Sequence, residues 1–260
     1  MEDLASRASQ SSNTAALSYD RDGIGCDACG GDGWLHHLDD EGRSYSEPCA
    51  CRKRKQALIR LKNSGLERLI ATCTMDAFLP DTQHARAMKT TAEKYLLAMH
   101  DGSEAWMFIG GAVGCGKTHI CTAVCGELIN AGRSVRYMEW LTEARRIKGY
   151  INDENADLIL GKYIDADVLY IDDLFKTQHR QGDTPRPTEA DVRVAFELIN
   201  HRYNAGKPTI ITSEWYLTEL LEVDEGTFSR VYEKSKGYQL TINRSAEKNR
   251  RTAGAKSEQL

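Results

Sequence analysis

Two groups of residues in this chain have the types and spacing of a binding or reacting centre. The stretch Gly111-Ala112-Val113-Gly114-Cys115-Gly116-Lys117-Thr118 fits G-x-x-x-x-G-K-[ST] without exception. Glycines at that spacing let the backbone curl so that its N–H groups converge on phosphate oxygens. Lys117 can then reach the β- and γ-phosphates of ATP, and the Thr118 hydroxyl can ligate Mg2+. The second group is Cys26, Cys29, Cys49 and Cys51, spaced C-x2-C-x19-C-x-C. Four thiolates in two tight pairs can close a tetrahedral Zn2+ site.

A third feature completes the first. VLYIDDLF (168–175) is an apolar run ending in Asp172 and Asp173. A buried strand of this kind delivers an aspartate to the carboxyl edge of a sheet, where Asp172 would hold Mg2+. Asp173 stands where many ATPases have a glutamate that orients the attacking water. Aspartate is one methylene shorter, which predicts slow hydrolysis. Thr212-Ser213-Glu214, at the end of a later apolar run, are polar groups that could touch the γ-phosphate or its water. Cys115 needs no redox role, and Cys121 and Cys125, four apart after the loop, are expected to pack against a sheet.

The cysteine array has competing readings. A redox pair needs a βαβ context that is missing around Cys26 and Cys29, and a chaperone-type zinc module repeats its C-x-x-C-x-G-x-G motif, which occurs here once. A structural zinc ribbon accounts for all four cysteines, with 34–46 as its hairpin. His36 and His37 are substitute ligands should one cysteine fail to reach. The adjacent RKRK (52–55) could add phosphate contacts.

These residues need elements to position them. Strand-sized apolar runs occur at 106–110, 134–138, 168–172, 209–212 and 238–242. Helical stretches fall at 117–131, 139–150, 188–204 and 216–236, the last broken near Asp224–Gly226. The alternation predicts an α/β fold with a parallel five-stranded sheet. A strand intervenes between the phosphate-loop strand and the acidic strand, the order of the ATPase branch of P-loop proteins, and no N-K-x-D guanine motif is present. Before this core, 83–100 reads as a helix, 71–81 as a connector and 52–65 as a short basic helix. The expected organisation is a disordered tail (1–22), a zinc-binding module with the basic helix (23–70), the ATPase domain (71–245) and a flexible C-terminal tail (246–260).

Composition sets the outer bounds. The 260 residues carry a formal net charge of −4, with 41% hydrophobic and 28% charged residues. This suits a folded core and argues against a uniformly basic nucleic-acid binder. No run is long enough for a membrane span, and MEDLASRASQ lacks the pattern of a secretory signal. A cytoplasmic, reducing location follows as the expectation, and there close cysteine pairs suggest metal before disulfides.

Together GxGKTH (ending in His119), VLYIDDLF, PTIITSE, the late SRVYE and the upstream cysteines resemble the DnaC/DnaI-type AAA+ helicase loaders. Within that group the likeness is to the phage and prophage replication proteins, over roughly residues 24–250. The resemblance implies an AAA+ ATPase using ATP and Mg2+ that escorts a replicative DnaB-type helicase onto single-stranded DNA, assembling as a homo-oligomer. It places Cys115 and His119 with the nucleotide-binding loop, Arg230 as a finger reaching a neighbouring subunit's ATP, and Ser213 at a polar sensor position. Glu214 departs from the Asn common in relatives. Asn249 and Arg250 match a terminal Asn/Arg pair, with no lid domain after them. Arg145, Arg146 and Lys148 fall in the region that binds single-stranded DNA, with Trp140 or Tyr150 available to stack on bases or Trp140 buried in the core. Two other functions share the core: a transposition-helper ATPase of the IstB type, and a nucleotide-dependent adaptor that hydrolyses little ATP. The zinc module favours the loader.

Overall fold

The computed structural model describes residues 26–39, 41–149, 155–176 and 186–244. The chain divides into two compact units, the first ending at Leu58 and the second beginning at Ile59. Among the described residues no helix is long and apolar enough to cross a membrane.

In the first unit, β1 (Trp34–Leu38) and β2 (Ser44–Pro48) form an antiparallel hairpin in which Trp34 faces Pro48 and Leu38 faces Ser44. The hairpin predicted between the two cysteine pairs is present. Its strands bury little, so strand pairing and the cysteines at its base are what organise it. The helix α1 (Cys51–Ser64) begins at the fourth cysteine.

The second unit continues with α2 (Glu67–Ile70), α3 (Gln83–His100), β3 (Met107–Gly111), α4 (Lys117–Asn130), β4 (Val135–Glu139), α5 (Trp140–Gly149), α6 (Asn155–Ile164), β5 (Val168–Leu174), α7 (Glu189–Asn204), β6 (Thr209–Ser213), α8 (Leu217–Val223), α9 (Glu225–Lys234) and β7 (Gln239–Ile242). The five strands β4-β5-β6-β3-β7 form one sheet, parallel throughout. The phosphate-loop strand β3 is thus separated from the acidic strand β5 by β6 in the sheet, while β4, the strand between them along the chain, lies at the sheet edge beside β5.

Side-chain alternation along the strands divides the interior between the two faces. Met107, Ile109 and Tyr170 pack with α3 and α4, whereas Phe108, Leu169 and Ile171 pack with α5, α7 and α9. On α4, Ile120, Val124 and Leu128 are buried. At roughly 2 kcal/mol for each fully buried aliphatic side chain, these contacts hold the start of the helix rigidly at the sheet edge. The break predicted near Asp224 is the boundary of α8 and α9, where the Asp224 side chain accepts from the Thr227 N–H.

One feature differs from the sequence expectation. Helix α6 was not foreseen. Its carboxyl end is held by Arg202, fully buried on α7, whose guanidinium donates to the carbonyls of Tyr163, Ile164, Ala166 and Pro208 and to the Thr209 hydroxyl. This one side chain ties the entrances of β5 and β6 together through backbone carbonyls and the Thr209 hydroxyl.

Candidate functional site

The phosphate loop joins β3 to α4. Gly111 adopts φ +106°, and a Cβ there would lie 2.0 Å from the Ile242 carbonyl oxygen, so only glycine fits. Gly116 caps α4 with φ +103°, and an added Cβ would press on Phe78 at 3.1 Å. Gly114 is also left-handed, and Cys115 is fully buried beneath the loop. The Lys117 ammonium curls into the loop and donates to the carbonyls of Gly111 (2.9 Å) and Ala112 (2.7 Å). Free N–H groups at the start of α4 make this end an anion site.

Thr118 and Asp172 come together as predicted, the Thr118 hydroxyl donating to Asp172 Oδ1 at 3.1 Å. Asp172 is 5% exposed and is the hub of a hydroxyl network. Its Oδ1 also accepts from Tyr170 (2.7 Å) and Thr212 (2.6 Å), and its Oδ2 from Tyr137 (3.1 Å). Burial and the adjacent carboxylate push both tyrosine hydroxyls well above their ordinary range, so they remain donors. Their role went unread, although Tyr170 lies two residues before Asp172 on the same strand face and Tyr137 pairs with it in register.

Asp173 and Phe175 are non-glycine residues at φ +56° and +60°. The ladder between β5 and β6 shifts between Ile171 and Leu174. This irregularity turns Asp173 toward the cavity beside the phosphate loop, and strain of this kind persists only where surroundings enforce it. Here the Thr212 hydroxyl accepts from the Asp173 N–H at 2.9 Å. The cavity, about 300 Å3, is lined by Gly114, Lys117, Thr118, Asp173, Lys176 and Glu214 among others. His119 also lines it; its imidazole meets the Thr74 carbonyl and the edge of Phe78. Lys176 bridges Asp173 (2.6 Å) and Glu214 (3.2 Å) and was not foreseen as part of the site.

Two expectations need correction. Ser213 is fully buried, its hydroxyl donating to the Leu174 carbonyl and accepting from the Trp215 N–H, and Glu214 reaches the cavity in its place. Lys148 is bound at 2.6 Å to Asp191, which is 8% exposed, so it is not a free phosphate contact. Of the two readings for Trp140, the structure has the core one, with the ring against Phe175. Arg145 and Arg146 are exposed on α5. Arg230 is half-buried on α9, over the Tyr203 ring and bonded to the Gly226 carbonyl, and does not line its own chain's cavity. Tyr150, Asn249 and Arg250, and both expected tails, lie outside the described residues.

The cysteine centre is built as the spacing predicts. The four Sγ atoms lie within 4.8 Å of one another, with Cys26–Cys49 at 3.7 Å and Cys29–Cys51 at 3.3 Å. Tetrahedral zinc with Zn–S bonds of about 2.3 Å requires sulfur separations of about 3.8 Å, so the donor set fits. Burial pushes the Cys29 thiol up, but the Gly33 N–H and the Cys51 thiol donate to it and hold it down to about 6. Cys51, donating to that sulfur, is pushed up to about 12. His36 pairs with Ser46 and Asp32, and His37 with Glu47 and the Tyr45 ring; neither is needed as a ligand.

The model of the IstB-like ATP binding protein family matches residues 54–224. Protein YqaM of Bacillus subtilis strain 168 is 30% identical over 206 residues, covering 76% of this chain and 64% of that protein. The phage-like element PBSX protein XkdC of the same organism is 32% identical over 152 residues, covering 56% and 54%. The chain thus spans less than two thirds of the length of either relative. The crystal structure of the DnaC helicase loader superposes with a TM-score of 0.56 at 18% identity, over 68% of this chain and 98% of that one. At that identity the likeness is one of fold, a P-loop AAA+ core.

Proposed function

The chain belongs to the IstB-like family of ATP-binding proteins, and on that premise we propose that it is an ATP-hydrolysing replication protein that loads a DnaB-type helicase onto single-stranded DNA. The observation that carries this reading is the assembled Lys117–Thr118–Asp172–Asp173 constellation on a core with the DnaC loader's fold. The phage-like element relative supports a place in a mobile element.

In this reading the phosphate loop and Lys117 bind the β- and γ-phosphates of ATP. Thr118 and Asp172 would hold Mg2+, which supplies charge neutralisation at the transferring phosphoryl group. Asp173 orients the attacking water. Arg230 acts in a neighbouring subunit of a homo-oligomer, consistent with its position away from its own cavity. Arg145 and Arg146 provide the DNA-facing charge. Residues 26–58 are a zinc-binding module ahead of an ATPase domain that begins near Ile59, so the boundary expected at 70/71 falls inside the second unit.

Lys117→Ala should abolish ATP binding, measured with a fluorescent analogue; unimpaired binding would displace the site. Co-purification with the cognate replicative helicase tests the loader role. The family match over 54–224 favours a second reading, a transposition-helper ATPase. Failure to capture helicase in any nucleotide state would favour that alternative.

A further inference from the structure

We infer that a cavity between the start of α7 and α8 is the seat of this chain's own cationic segment, residues 245–260, which docks there through Lys248, Arg250 and Arg251.

The cavity has a volume of about 630 Å3 and lies apart from the nucleotide site. Val192 and Trp215 give it an apolar wall, and Glu189, Glu219 and Glu222 give it three carboxylates. Glu189 and Glu222 have no hydrogen-bond or ion-pair partner among the described residues. Arg186 is the one cation lining the cavity among those residues, and it is exposed. Set against either free carboxylate, it leaves the other uncompensated. Glu219 is already taken. Arg244, the last described residue before the segment, donates to its Oε1 at 2.7 Å and lies 4.3 Å from the centre of the Tyr216 ring. The first cation of the C-terminal run is therefore seated on the cavity wall, and the same carboxylate chemistry stands open beside it.

Long basic side chains suit such a place. Their aliphatic stems lie along apolar surface while the charged heads meet carboxylates. Residues 245–260 carry Lys248, Arg250, Arg251 and Lys256 against Glu247 and Glu258, so segment and cavity are complementary in charge. Arg250 is six positions beyond Arg244. That length of chain reaches about 20 Å when extended, and Arg244 itself already touches a lining residue. Tethering at this range supplies an effective concentration on the order of 1 mM, which favours the chain's own segment over a second copy in dilute solution. Arg244 also donates to the Glu214 carbonyl at 2.8 Å, so the seat adjoins the nucleotide cavity that Glu214 lines.

The test is zero-length carbodiimide crosslinking of the full chain in dilute solution, read by mass spectrometry of proteolytic peptides. Lys248 should become joined to Glu222 or Glu189, and a mixture of isotope-labelled and unlabelled chains should give products within one chain. Arg250→Glu combined with Arg251→Glu should lower that yield by about fivefold, the weight of two partly exposed ion pairs. Both substitutions lie outside the folded core, so the fold is not at stake. An undiminished yield in the double variant reduces the contact to mere tethering and overturns the inference, as does the absence of any product at these carboxylates. Products only between labelled and unlabelled chains would assign the cavity to a second copy. Products at Asp173 or Glu214 would put the segment in the nucleotide cavity. Either result overturns the inference, whereas neither bears on whether Lys117 binds ATP.

Discussion

At the scale of single residues, the centre of the site is one carboxylate. Asp172 accepts four hydroxyl hydrogen bonds, from Thr118, Tyr137, Tyr170 and Thr212, and these fix its orientation before any ion arrives. Partners of a metal ligand commonly alter metal affinity by about 10- to 100-fold when removed. Tyr137→Phe should therefore raise the Mg2+ concentration needed for half-maximal turnover by about tenfold. Binding of ATP in the presence of a chelator should not change, which separates loss of ion positioning from loss of the pocket; an unmoved Mg2+ midpoint would refute the role. The ligands themselves were legible because chemistry restricts which residue types occupy a phosphate loop and an acidic strand end. The two tyrosine hydroxyls were not, since tyrosine on a buried strand looks like ordinary core until strand register places it. Ser213 erred for the related reason that adjacent residues on a strand face opposite ways, and here Thr212 and Glu214 have the functional side.

Between elements, the same logic governs stability. Asp167, just before β5, accepts from Nε and Nη2 of Arg133, beyond the end of α4, at 2.8 and 2.7 Å. Those bonds hold its carboxyl below the ordinary value of 3.8 despite burial. A depressed native value means the contribution is fully present above the unfolded pKa and is lost as pH falls through the native one. Asp167→Asn should accordingly lower the melting temperature by a few degrees at pH 7, and the gap to wild type should close under strongly acidic conditions. An equal gap at both would exclude ionisation as the cause. Periodicity located five strands and the main helices of the core because each buries a regular stripe. It missed α6, whose end depends on Arg202 from a distant helix; a tertiary cap leaves no local trace. Lys148 erred similarly, since its partner Asp191 is on another element.

For the whole molecule, two units rest on different physics. The second has a two-faced core; the first has a hairpin and four sulfurs. Cys49→Ser should lose bound zinc, measured by metal analysis, and render residues 26–58 sensitive to protease while ATP binding survives. Zinc retained at wild-type levels would exclude the four-cysteine site. Because ligation requires thiolates, acidification should release the ion, with Cys51, pushed up to about 12, the hardest to ionise without a cation nearby. The cysteine spacing disclosed this centre, but not the separate compactness of the two units, which depends on contacts that spacing does not encode. The placement of β7 has one more consequence. Phe108 pairs with Gln239, and the Ile242 carbonyl accepts from Ala112 N–H against the back of the phosphate loop. During synthesis, then, the loop emerges from the ribosome long before the strand that braces it. The nascent chain therefore lacks the brace behind its phosphate loop until residue 242 has cleared the exit tunnel.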